Sequence, residues 1–444
     1  MKLHYLLVFW WICGCTNALS AQAKYLQSGP MVGYADMKEV LLWAQTTQPA
    51  TVQFEYWPVD SPKVKYTTRK VKTKSYSAFT AKCIADQVEP GTKYVYQLKI
   101  NNKVVALPYA TTFSTQTLWQ WRTDPPAFTV AAGSCNYINE TPYDRPGKPY
   151  GSEYGIFQAI LDKKPDAMLW LGDNTYLREV DWSTRTGIMD RYTHTRSTKE
   201  IQPLLASVPN YATWDDHDFG PNDADKTWVH KQTSLEAFKY FWGNPSFGVE
   251  GEPSVATAFQ LNDIDFISLD NRYHRTPNYC KTCPNKTQLG ATQKQWLLES
   301  LASSNAPFKI VMLGGQVLTS VESSETYIRF FKEERAEILQ FIEDNNIKNV
   351  IFLDGDRHFT ELSKITNAKG NVVYDMTTSS LTAGSFADGP TKEQNTNRVE
   401  GTGVGVHNFA TFNFSGPRKQ RVLDIKVFDT NGKELWTQRI ESAK

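Results

Sequence analysis

The sequence lacks a charge imbalance, a bilayer-length apolar run and a serine nucleophile motif, and each absence removes a class of function. Lys and Arg number 48 against 47 Asp and Glu, a formal charge of +1, which gives no argument for a nucleic-acid-binding patch or a cationic membrane face. The apolar run Tyr5 to Cys13 is about half of the ~20 residues a spanning helix needs. No Gly-x-Ser-x-Gly elbow occurs, which sets aside serine hydrolases of that type. Histidine is sparse, with seven residues in 444, and there are no internal repeats or low-complexity segments.

What is present describes an ordinary globular chain, 40% apolar and 21% charged, and its length predicts two domains. Residues 1–23 read as an export signal. Lys2 and His4 precede the short apolar run, and Ala21-Gln22-Ala23 has the small-residue pattern of a signal peptidase site. Ile12-Cys13-Gly14-Cys15 is similar to a bacterial lipobox, which would make Cys15 a lipidated first residue. The competing reading is a buried N-terminal helix. The mature chain is expected to be exported, as a periplasmic protein, an outer-membrane lipoprotein or a secreted one. Its only membrane contact would then be that lipid.

Four cysteines remain. Cys280 and Cys283 form a Cys-x-x-Cys in a polar stretch. In an exported chain with no second pair to complete four zinc ligands, that spacing predicts a small disulfide loop. Cys83 and Cys135 could pair with each other, or Cys135 could be a buried free thiol or a metal ligand.

Residues 24–122 read as a small fibronectin type III-like β-sandwich. Val40–Ala44, Thr51–Trp57, Ser77–Ala81 and Tyr94–Ile100 are β-branched and aromatic runs, with turn signals at Pro58, Pro90-Gly91 and Asn101-Asn102. Asp124-Pro125-Pro126 marks the junction. Residues 123–444 read as the catalytic domain. Apolar strands at Phe128–Ala132, Ala167–Leu171, Asn210–Trp214, Phe266–Leu269, Lys309–Leu313 and Asn349–Leu353 alternate with helical stretches at Tyr154–Lys163, Ser197–Ala206, Thr292–Ala302 and Glu333–Glu343. This alternation predicts a layered α/β core with largely parallel pairing. After Thr360 the chain returns to β.

Five of these strands deliver chemically useful residues just past their carboxyl ends, where open α/β sheets bind ligands. The segments are Gly133-Ser134-Cys135-Asn136-Tyr137, Gly172-Asp173-Asn174-Thr175-Tyr176, Asp215-Asp216-His217-Asp218, Gly314-Gly315-Gln316 and Asp354-Gly355-Asp356-Arg357-His358. One strand-end Asp is usually a cap, but five such segments in register point to a site. The residue types favour metals. Asp173, Asp216 and Asp356 offer hard oxygens, His358 an imidazole, Cys135 a thiol and Tyr176 a phenol. A phenol with a free pKa of about 10 ligates only beside a strongly polarising cation such as Fe³⁺. Taken alone, Tyr176 is as well explained by packing.

Leu171-Gly172-Asp173-Asn174-Thr175-Tyr176, Trp214-Asp215-Asp216-His217-Asp218 and Gly355-Asp356-Arg357-His358 together resemble the motifs of PhoD-like alkaline phosphatases, within the metallophosphatase superfamily. Ser134-Cys135-Asn136-Tyr137, Leu269-Asp270-Asn271-Arg272 and Leu289–Leu297 are similar to that family's other motifs. The resemblance implies a metallophosphatase-like β-sandwich flanked by helices. It implies hydrolysis of phosphate mono- or diesters by a metal-bound hydroxide attacking phosphorus in line. It also implies a centre of Fe³⁺ and Ca²⁺, with Cys135, Asp173, Tyr176 and His358 on iron, Asp173 bridging, and Asp216 and Asp356 on the calcium side. His217 would contact phosphate or protonate the leaving oxygen, with Arg357 and Gln316 as neighbours of the phosphate. The chain departs from the family pattern at Asp218, where glutamate is common, at Asn174-Thr175 and in the Cys280–Cys283 loop. Its Lys2 predicts a Sec-type rather than a twin-arginine signal. The competing functions are a phosphodiesterase or phospholipase acting on lipid or envelope esters, and a non-catalytic surface binding lipoprotein.

Overall fold

The computed structural model describes residues 24–443, so the export signal and the lipobox at Cys15 lie outside the described residues. No helix among the described residues is long and apolar enough to cross a membrane. The chain forms two compact units, one of residues 24–118 with 196–209 and the other of residues 119–195 with 210–443.

The first unit is a β-sandwich. One sheet holds Leu26–Ala35, Val40–Thr46 and Thr80–Ala85; the other is built on the antiparallel pair Thr51–Pro58 and Lys93–Ile100. Period-two alternation decides what is inside. Val52, Phe54 and Tyr56 on one strand and Tyr94, Tyr96, Leu98 and Ile100 on its neighbour all point into the core. The stretch read as a helix over Ser197–Ala206 belongs to this unit. It is helical only over Gln202–Ser207, because Pro203, which cannot donate an interior hydrogen bond, sits in the first turn. Gln202 Oε1 accepts the Gly29 N–H at 2.8 Å, and the Tyr96 hydroxyl donates to Ala206 O at 2.6 Å.

The second unit stacks two six-stranded sheets. The first runs in the order Asn210–Thr213, Ala167–Leu171, Phe128–Gly133, Asn408–Ser415, Val422–Asp429, Glu434–Glu441; the first three strands pair in parallel and the rest antiparallel. The second runs Thr257–Leu261, Ile264–Ser268, Lys309–Met312, Val350–Asp354, Val372–Thr377, Glu361–Thr366, with its four inner strands parallel. The sheets meet through aromatics, as Phe414 of the first lies 6.3 Å from Phe266 and 5.9 Å from Phe308. Helices Ala291–Ser303 and Lys332–Asp344 cover the second sheet, burying Leu297, Leu301, Ile338 and Ile342. The expected layered α/β fold is therefore the observed one, and all five strands that carry the polar segments pair in parallel. Among the described residues, two helices longer than four residues were not read from the sequence, Arg185–Arg196 and Lys231–Phe241. The first is too polar to show an apolar stripe.

Candidate active site

Seven parallel strands, three from one sheet and four from the other, end at the same edge of the sandwich, so their following loops converge. Close approach requires glycine at two strand ends. A Cβ on Gly314 would stand 2.4 Å from the Asp215 carboxyl carbon, and one on Gly355 would stand 2.4 Å from Ser134 Cβ. Where the chain turns inward the backbone is left-handed at non-glycine residues. Cys135, Asp173, Asp356 and His358 have φ of 59°, 52°, 66° and 55°. Such conformations cost roughly 1–3 kcal/mol each and cluster at functional sites.

Asp173 is the hub. It shares one set of donor atoms within 4.8 Å with Cys135 and His358, and a second with Asp216 and His217. Cys135 Sγ lies 3.8 Å from Asp173 Oδ2, and the His217 N–H donates to Asp173 Oδ1 at 3.2 Å. The Gly384 carbonyl accepts from His358 Nδ1, which leaves Nε2 free to ligate, 3.5 Å from the Tyr176 hydroxyl. The Tyr176 ring stacks on His217 with centroids 4.3 Å apart. Asp218 accepts the N–H groups of Asp215 and Asn174, both at 3.1 Å, and so ties the Asp173 loop to the Asp216 turn.

The electrostatics call for a cation. Burial, and then the charges of Asp216 and Asp215, push the Asp173 carboxyl well above the carboxylate range. Burial, then Asp215, does the same to Asp356. Burial also raises the Cys135 thiol and the Tyr176 phenol, and for each the Asp173 charge is the second cause. Asp216 is the exception. Burial raises it, but His217, Arg272 and the Asp223 N–H outweigh that and hold it below the carboxylate range. Burial lowers His217 and His358, and His217 Nδ1 is buried without a hydrogen-bond partner. Asp173, Asp356 and the Cys135 thiol, disfavoured in their charged states, face an ionised Asp216 and two imidazoles kept neutral by burial, a set that fits a polynuclear metal centre.

Asp173, Asp216, His217, Asp356, Arg357 and His358 all line a cleft of about 720 Å³. Cys135 and Tyr176 stand behind it, at 0% and 3% exposure. Arg357 pairs with Glu393 at the cleft wall. Gln316 is elsewhere. Its amide donates to Glu361 Oε1 and Thr377 Oγ1, both at 2.9 Å, and it does not line the cleft. Cys83 and Cys135 are both free and buried, so the alternative in which they pair does not hold, whereas Cys280 and Cys283 are joined as expected.

Other cleft residues escaped the sequence reading. Glu325 lies within 4.8 Å of Asp215 and Asp216 and pairs with Arg272 and with Arg275, the latter at 2.9 Å. Arg272 Nε also reaches Asp215 Oδ1 at 2.5 Å. Glu325 follows no strand, so nothing in the pattern marks it; Arg272 was visible only as part of a motif. Asp223, raised to about 6 chiefly by burial, and the aromatic residues Tyr150, Tyr279, Phe330 and Phe386 also line the cleft.

Comparison with known proteins agrees with this geometry. The PhoD-like phosphatase family model matches residues 130–419, and a domain of unknown function, DUF7800, matches residues 23–118. Alkaline phosphatase D of Bacillus subtilis (strain 168) is 23% identical over 354 residues, which are 68% of this chain and 56% of that relative. A solved structure of PhoD superposes with a TM-score of 0.75 at 18% identity, covering 95% of this chain and 93% of the other. A purple acid phosphatase from yellow lupin (Lupinus luteus) seeds gives 0.63 at 12% identity, over 93% and 73%. These structural likenesses show a shared fold over nearly the whole chain, and the family model spans more than half of it. The chain belongs to the PhoD-like phosphatase family.

Proposed function

We propose that the chain is a metal-dependent hydrolase of phosphate esters, working at the centre built around Asp173. The observation that carries this reading is the placement of Asp173 between two donor groups, Cys135 with His358 and Asp216 with His217. A carboxylate shared in this way can bridge two cations. Thiolate, phenolate and imidazole donors suit iron on the Cys135, Tyr176 and His358 side. The all-carboxylate donors Asp216 and Asp356 suit calcium. Bound there, the cations supply positive charge for phosphoryl oxygens and lower the pKa of water at the site.

The side chains do the rest. Asp173, Asp216 and Asp356 would hold the cations, whose charge would offset the upward push of burial on Asp173 and Asp356. His358 is kept in one tautomer by the Gly384 carbonyl. His217, stacked on the Tyr176 ring and lining the cleft, donates a ring N–H to the leaving or phosphoryl oxygen. Because burial lowers its pKa, its single N–H stays on a neutral ring through the alkaline range. Arg357 presents charge to the phosphate from the cleft wall, held by Glu393. Gln316 has no part in the proposal, since its amide is committed to Glu361 and Thr377.

The test is hydrolysis of p-nitrophenyl phosphate and bis(p-nitrophenyl) phosphate, with bound metal measured by mass spectrometry. Asp173→Asn and Asp356→Asn should each abolish turnover of both esters and lower the metal content. Near-native turnover in Asp173→Asn sinks the assignment.

A further inference from the structure

We infer that Tyr279 and Phe330 form a subsite at the cleft mouth for a planar aromatic ring on the alcohol side of the ester, as in a nucleoside or aryl phosphate. The inference rests on the phosphate-ester reading of the centre and goes on to name the substrate class. Tyr279 is 72% exposed, an unusual cost for an aromatic ring, yet it sits at the cleft wall and meets Phe330 edge to face with centroids 5.3 Å apart. The exposed Arg329 guanidinium lies 4.8 Å from the Phe330 ring and adds a cation beside the pair. A cleft of about 720 Å³ is sized for a ligand well beyond a bare phosphate.

The ring is held in place from both sides. Cys280, the next residue, is closed by the disulfide to Cys283, and its N–H donates to Pro277 O at 3.1 Å. Asn278, the preceding residue, is buried. It donates from Nδ2 to Glu325 Oε1 at 2.6 Å and accepts from Arg275 Nε at 3.0 Å. Its carbonyl accepts from Lys286 Nζ at 2.6 Å. Glu325 belongs to the network that borders Asp216, so the backbone that carries the ring is tied to the reacting centre. A rigidly mounted tyrosine loses little conformational freedom when a ring stacks on it. An alkyl alcohol such as glycerol has no π-face and gains nothing there. The Cys-x-x-Cys loop, which the catalytic chemistry does not use, follows directly on this cleft residue.

The test compares adenosine 5′-monophosphate with glycerol 3-phosphate, as substrates of the metal-loaded enzyme and, for adenosine, as a ligand in equilibrium dialysis. Tyr279→Ala should lower the ratio of kcat/KM for the nucleotide over glycerol phosphate about tenfold, mainly through KM, and weaken adenosine binding by a similar factor. Tyr279→Trp should restore both. Cys280→Ser with Cys283→Ser, which keeps the ring but frees the loop, should lower the ratio part of the way. An unchanged ratio with unchanged adenosine binding in Tyr279→Ala overturns the subsite, as does an equal loss on both esters. A wild-type protein that binds adenosine through Tyr279 but hydrolyses neither ester keeps the subsite and removes the phosphatase reading. One that neither binds adenosine nor cleaves the nucleotide removes both.

Discussion

Arg272 is the cation paired with both Asp215 and Glu325 among the buried carboxylates behind the cleft, and replacing it with methionine is a quantitative test of how the site is supported. Its Nε donates to Asp215 Oδ1 at 2.5 Å; a terminal nitrogen pairs with Glu325 and lies 3.9 Å from Asp216. Arg272 and Asp215 are each 1% exposed. Methionine keeps the apolar stem but leaves Asp215 with a single side-chain donor, the Asn271 amide at 2.8 Å. Glu325 keeps Arg275. Removing one partner of a buried pair costs about 3–5 kcal/mol, and the surviving donors place this case near the lower end, about 3 kcal/mol. That is a large share of a typical stability of about 5–15 kcal/mol.

The pH dependence of that loss follows from Asp215. Burial pushes its carboxyl up to about 6 even though Arg272 pulls it down. An unfolded Asp titrates near ~3.9, so the folded state binds the proton more tightly and stability falls as pH rises from about 4 through 6. Without Arg272 the folded-state value rises further, and the variant goes on losing stability above pH 6. The gap between the two proteins should therefore be widest near pH 8 and narrow toward pH 5. Urea unfolding of the metal-free proteins at both pH values, followed by tryptophan fluorescence, measures it. Adding Asp215→Asn to the variant should recover much of the loss at pH 8. A loss under about 1 kcal/mol at pH 8, or one that does not change with pH, refutes the argument.

Two further outcomes are expected. Gly355→Ala places a Cβ against Ser134, one residue before Cys135, and should cost about 1–3 kcal/mol in urea unfolding and weaken metal uptake on dialysis; unchanged metal content would show that the loop yields freely. In a chain that starts at Lys24, Cys83 and Cys135 should both escape a thiol reagent at pH 8 until denaturant is added. Burial pushes Cys83 up to about 12 and Cys135 well above its ordinary value, and a thiol that reacts in the native protein would contradict that burial.

Much of the candidate site was legible because its donor side chains follow strands. Apolar runs such as Ala167–Leu171 and Val350–Asp354 are buried at every position, so they stand out from sequence alone, and the polar residues after them fall at one edge of the sandwich. The same logic misplaced Gln316, which also follows a strand but turns toward Glu361 and Thr377. Strand-end position gives the edge of the sheet and not the direction of a side chain.

The sequence by itself determined the α/β alternation, the disulfide at Cys280 and Cys283, and the candidate ligands Cys135, Asp173, Asp216, Asp356 and His358, because hydrophobic period and local motif are short-range properties of the chain. Only the tertiary structure decided that Asp173 faces two donor groups at once and that Glu325, from a loop with no pattern, closes the network of Asp215 and Arg272. It alone put Tyr279 and Phe330, 51 positions apart, at one cleft mouth. These are contacts between distant segments, set by how two sheets pack, and no local pattern encodes them.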